Sequence, residues 1–134
     1  MKGVTVKRKD IPSLIDELPV LMVAACFARG RTVIEGAEEL RVKETDRISS
    51  MLSGLREMGA NVKLSGPGMH QHIIIEGVKH LAGARVRAFG DHRTAMSLIV
   101  AGFRANGKTI IDDINCINKS FPEFLHYLNK IIVL

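Results

Sequence analysis

Apolar residues gather along this chain in four stretches with two different rhythms. From Val20 to Phe27 every residue is apolar, which predicts a helix buried on all sides. Asp16 stands where its N-cap is expected, and Gly30 where a helix running to about Arg29 should stop. Ile48, Met51, Leu52, Leu55 and Met58 instead recur at helical spacing, predicting an amphipathic helix over about 45–59. The pair of patterns then returns. Residues 95–103 are almost wholly apolar, and Phe124, Leu125, Leu128, Ile131 and Ile132 form the expected inward face of a last amphipathic helix. Ser120-Phe121-Pro122-Glu123 has the form of a capping box that opens it. Strands are expected at 4–6, 31–35, 60–64, 72–76, 85–88 and 108–112, with Gly66-Pro67-Gly68 as a turn. The fold class is α/β (α+β).

The recurrence is regular enough to align. Phe27 falls on Phe103, Lys43 on Lys119 and Ile48 on Phe124, each at an offset of 76, with a one-residue slip where Gly30 meets Gly107. Two copies of a β-α-β-α-β-β unit are expected, over about 11–88 and 89–134. Asp16 and Asp91-His92-Arg93 precede the buried helices, and Lys43 and Lys119 the amphipathic ones. Stacked units would bring these four places to one end, where helix N-termini attract phosphate and carboxylate. The chain opens directly into what reads as the end of a strand, as a fragment would.

Composition narrows the function classes. With 134 residues, 46% hydrophobic and 25% charged, the chain has an ordinary globular make-up with room for one core. A formal charge of +5 favours anionic partners, while 4% aromatic residues and no basic block interleaved with them argue against nucleic acid. No apolar run reaches membrane-spanning length, and the N-terminus carries no signal-type apolar region. Cys26 lies in an apolar run and Cys116 in a loop-like stretch. Nothing requires a disulfide, so a reduced cytoplasm is the simplest setting. His70, His72, His80 and His126 have no metal-ligand spacing, and no metal is expected.

The densest chemistry is Leu40-Arg41-Val42-Lys43-Glu44-Thr45-Asp46-Arg47-Ile48. Five of the seven residues from Arg41 to Arg47 are charged. A helical turn would gather Lys43, Glu44 and Arg47 on one face. A carboxylate between two fixed cations can transfer protons beside an anionic substrate. A solvated first turn with a surface ion pair, worth ~0–1 kcal/mol, has the same appearance.

That run resembles the signature of the 5-enolpyruvylshikimate-3-phosphate synthase family. Three more motifs match in order: Ile15-Asp16-Glu17-Leu18-Pro19, Asp91-His92-Arg93, and Lys119-Ser120-Phe121-Pro122-Glu123-Phe124. The resemblance runs from about Ile11 to Ile131 and covers only the C-terminal part of the family's length.

It implies two domains, each an inside-out α/β barrel of three such units, with this chain supplying two units of one domain. It implies transfer of the enolpyruvyl group of phosphoenolpyruvate to the 5-hydroxyl of shikimate 3-phosphate, without metal or organic cofactor. Asp16 would act on the hydroxyl and Glu44 on the methylene proton. Lys43 would contact shikimate 3-phosphate and the reacting centre, and Arg47 and Arg93 the phosphoenolpyruvate. Asp91 would hold Arg93, His92 would be a further contact, and Lys119 would meet the leaving phosphate. The absent N-terminal domain would be a partner, and the chain alone would be inactive. Two rivals share the pattern: transfer to a UDP-amino sugar, and an anion-binding module without catalysis.

Overall fold

The structure, a computed structural model, describes residues 1–42, 46–68 and 70–132. Its first half is built on one sheet. Strand β1 (Thr5–Val6) lies parallel to β2 (Arg31–Glu35), β2 pairs antiparallel with β4 (His72–Glu76), and β4 pairs with β3 (Asn61–Ser65), giving the order β1-β2-β4-β3. The β-branched residues alternate as a half-buried sheet requires. Thr32, Ile34, Ile73 and Ile75 face inward, whereas the ends of these strands carry the pairs Lys7–Glu35 and Arg31–Glu76. Gly66 and Gly68 take the left-handed backbone at the hairpin turn between β3 and β4.

Helices cover the inner face. The chain makes a short turn of helix, α1 (Ile11–Leu14), then α2 (Leu18–Cys26) with Pro19 in its first turn. Helix α3 (Arg47–Glu57) lies across the sheet. Its expected apolar face is borne out: Ile48, Met51, Leu55 and Met58 are fully buried and Leu52 nearly so. Each such side chain contributes roughly 1.5–3 kcal/mol when removed from water. Gly59, left-handed, stops the helix at its predicted end.

The second half fastens onto the first. Two strand pairs of two residues each join distant segments in parallel, β5 (Leu81–Ala82) with β7 (Ala105–Asn106) and β6 (Arg85–Val86) with β8 (Ile110–Ile111). Helix α4 (His92–Phe103) packs along α2 and adds Leu98 and Ala101 to the main core. Beyond it a 3-10 helix, Asn115–Lys119, leads to α5 (Phe124–Ile131). A second, smaller cluster of Ala88, Ala95, Cys116 and Ile117 sits here, with Phe124 packed against it.

Three expectations are corrected. Helix α2 is not buried all round, since Val20 is exposed beside the half-buried Leu21 and Ala24. The strands expected at 85–88 and 108–112 shrink to two residues each. The capping box does not form: Ser120 ends the 3-10 helix, Glu123 occupies the N-cap without a side-chain bond, and Leu125 and Ile131 face solvent. Pairing of the remaining pattern with this many apolar residues still gives a mixed α/β fold.

Candidate functional site

The charged residues that precede α2, α3 and α4 converge as the helices pack. Arg47 opens α3, and its side chain is only 4% exposed. Its Nε donates to Asp91 Oδ2 at 2.7 Å and its Nη1 to Asp16 Oδ1 at 3.1 Å. Arg93, in the first turn of α4, reaches the other oxygen of Asp16, with Nη2 at 3.9 Å from Oδ2. Two carboxylates and two guanidiniums from three segments thus form one quartet.

Asp91 is its fixed member. The side chain is 0% exposed, and Oδ1 accepts the backbone N–H groups of Arg93 (2.8 Å) and Thr94 (3.1 Å). This is the N-cap expected of an aspartate ahead of an apolar helix. Burial pushes its pKa up, but the Arg47 bond and charge and the two backbone donors outweigh that and hold it below the usual carboxylate range. The same contest runs in Arg47, where burial opposes the charge while Asp91 and then Asp16 more than restore it. Phe89 and Gly90 both adopt left-handed backbone immediately before Asp91. A left-handed Phe is strained, and such strain collects where a neighbouring side chain must be aimed.

Asp16 is not the cap that local pattern predicts. Glu17 holds the N-cap of α2 without a side-chain bond, and Asp16 instead turns to the two arginines with 47% of its side chain exposed. Asp91, expected to steady Arg93, does so through the Arg93 backbone while its side-chain partner is Arg47.

A family model described as EPSP synthase (3-phosphoshikimate 1-carboxyvinyltransferase) matches residues 1–128. The chain belongs to the EPSP synthase family. It is 48% identical over 133 residues to the 3-phosphoshikimate 1-carboxyvinyltransferase of Geobacter sulfurreducens, covering 99% of this chain and 30% of that relative. The enzyme of the same name from Alkaliphilus oremlandii is 49% identical over 131 residues, covering 98% and 30%. The solved EPSP synthase of Acinetobacter baumannii superposes with a TM-score of 0.87 at 39% identity, over 97% of this chain and 30% of that one. The chain therefore spans about 30% of the length of the relatives it matches.

Of the residues that the family resemblance singles out, Asp16, Arg47, Asp91 and Arg93 meet in the quartet. His92 is the first residue of α4 and half-buried. Lys119 is exposed at the end of its 3-10 helix. Among the described residues it takes no part in the quartet. Lys43 and Glu44 lie outside the described residues. Beside the quartet is a cleft of about 220 Å³, lined by Asp16, Glu17 and Arg93 and by apolar residues that include Met96, Phe121 and Phe124.

Sequence reasoning missed Arg41. Its Nη1 donates to Asp46 Oδ2 at 2.5 Å and its Nε to Gln71 Oε1 at 3.0 Å, while Asp46 caps α3 through Ser49 N–H. A cation and an anion five residues apart on either side of the Lys43–Glu44 pair were the available signal.

Proposed function

We propose that this chain is the C-terminal portion of an enzyme that moves the enolpyruvyl group of phosphoenolpyruvate onto the 5-hydroxyl of shikimate 3-phosphate and releases phosphate. The observation that carries the reading is the quartet of two arginines and two aspartates beside the cleft, assembled from residues that the family resemblance singles out. A planar guanidinium pairs bidentately with a carboxylate. Arg47 and Arg93, approached from two helices, suit the carboxylate of phosphoenolpyruvate. Lys119 offers a cation to the departing phosphate, Lys43 meets shikimate 3-phosphate and the reacting centre, and His92 is a further contact.

Addition and then elimination follow. Asp16 takes the proton of the attacking hydroxyl as its oxygen bonds to C2 of phosphoenolpyruvate, and Glu44 gives a proton to the methylene carbon. Glu44 then removes a methyl proton, the double bond re-forms, and the C–O bond to phosphate breaks. The protein's part is to neutralise anions and hold proton donors in place, which is electrostatic preorganisation. Asp91 serves as a positioning residue.

The fold expected of the whole is an inside-out barrel in which 11–88 and 89–134 are two repeat units, completed by a third unit and an N-terminal domain. On this reading the protein works in the cytoplasm, with neither nucleic acid nor membrane as partner. No helix among the described residues is long and apolar enough to cross a membrane.

The test is phosphate release from phosphoenolpyruvate plus shikimate 3-phosphate. The 134-residue chain alone is expected to be silent, and the chain with the rest of the enzyme restored to be active. Glu44→Gln should cut that activity at least 100-fold, a typical general acid–base contribution. A full-length protein that folds but releases no phosphate overturns the assignment.

A further inference from the structure

Two members of the quartet are carboxylates, and they are held very differently. Asp91 is completely buried, and its oxygens accept from Arg47 Nε and from the backbone of Arg93 and Thr94. Asp16 is about half exposed, caps nothing, and holds its arginines by one bond of 3.1 Å and one looser contact of 3.9 Å. The first cannot leave without unmaking a helix cap and stranding a buried guanidinium. The second can turn out into the cleft it lines.

Charge makes the difference consequential. Two guanidiniums and two carboxylates cancel, so the quartet has no surplus positive charge for an arriving anion while Asp16 remains. The donors are nevertheless in place: Arg93 Nε is buried and finds no acceptor among the described residues.

We propose that Asp16 is the resident anion of this clamp, filling the place of a substrate carboxylate in the free protein and being displaced by it on binding. The inference rests on the reading of Arg47 and Arg93 as the phosphoenolpyruvate clamp. A carboxylate replaces a carboxylate, and the arginines keep their partners.

The test is titration calorimetry of the 134-residue chain with phosphoenolpyruvate, and separately with inorganic phosphate. Asp16→Asn removes the competitor and is expected to bind phosphoenolpyruvate roughly two- to fivefold more tightly, the range that a partly exposed ion pair commands. Glu17→Gln removes a neighbouring charge from the same cleft but no bond seen to the arginines, and should leave the affinity unchanged. Inorganic phosphate lacks the carboxylate and should gain less from Asp16→Asn. Unchanged, weaker or undetectable binding by Asp16→Asn overturns the proposal, as does equal tightening by Glu17→Gln. Arg93→Gln separates the two readings. Loss of phosphoenolpyruvate binding there, without tightening in Asp16→Asn, removes only the displacement. Binding that survives Arg93→Gln removes the clamp itself.

Discussion

Replacing Asp91 by asparagine separates two tasks that one carboxylate performs. Oδ1 accepts two backbone N–H groups at the start of α4, and Oδ2 accepts Arg47 Nε at 2.7 Å. An asparagine that keeps its oxygen at the cap must turn its NH2 group toward Nε, placing donor against donor. The cap survives, worth about 1 kcal/mol, but the guanidinium of a side chain only 4% exposed loses its best acceptor. Breaking a buried pair from one side costs about 3–5 kcal/mol. Asp16 still holds Nη1, so the lower end applies, about 3 kcal/mol, or roughly 10 °C in Tm for a chain of this size. Urea unfolding with an unchanged m-value measures it. The double variant Arg47→Leu/Asp91→Asn should regain at least about 1.5 kcal/mol of the summed single losses, because no buried charge is left unpaired. The pH profile must agree in sign. The native pKa of Asp91 is depressed, so its contribution is complete above the unfolded value of about 3.9 and drains away as pH falls through the native one. Asp91→Asn should therefore show a flatter acid limb below about pH 4. A cost under about 1 kcal/mol, or no coupling in the cycle, would refute the account of a buried, charge-assisted pair.

The remaining predictions concern backbone approach and thiol chemistry. A Cβ at Gly77 would lie 1.6 Å from the Ala28 carbonyl oxygen, so Gly77→Ala should cost more than about 3 kcal/mol; a Tm within a few degrees of the parent would contradict that crowding. Gly59 has open space around it but φ near +81, so Gly59→Ala should cost only about 1–2 kcal/mol, the left-handed penalty, by the same unfolding assay. Cys26 is fully buried and its thiol is pushed up to about 11, and burial also raises Cys116. Neither should react with a disulfide reagent at pH 8 until the chain unfolds, and fast native labelling of Cys26 would show that α2 opens readily.

What was legible from the sequence follows from how far each interaction reaches. The face of α3 could be read because Ile48, Met51 and Leu55 repeat with the helix itself. Asp91 could be read as a cap because its partners are two and three residues away. Asp16 could not, since its partner Arg47 is 31 residues on and wins over the local cap. The pairs Leu81–Ala82 with Ala105–Asn106 were invisible because two residues carry no periodicity. The last amphipathic helix was found, but its pattern says only that a face is apolar, not what covers it. The charged run was noticed by density, and the family resemblance, not spacing, gave its residues their roles. The clip between Arg41 and Asp46 is local, and its spacing could have been read, whereas the bond from Arg41 to Gln71 spans 30 residues and needs the fold.

The unequal size of the two apolar clusters sets a hierarchy of opening. Most of the buried side chains of α2, α3 and the four-stranded sheet belong to the larger cluster, whereas four buried residues hold the segment from the 3-10 helix to α5. Amide hydrogen exchange in such a molecule proceeds from its least buried unit inward. The segment carrying Lys119 should exchange by a sub-global opening of low free energy. The amides flanking Arg47 in α3 should wait for global unfolding. Lys119, the cation proposed to meet the departing phosphate, thus rides on the part of the chain that can loosen on its own, while Arg47, beside Ile48 of the larger cluster, stays anchored in the part that cannot. A site divided in this way can let go of one group without letting go of the other.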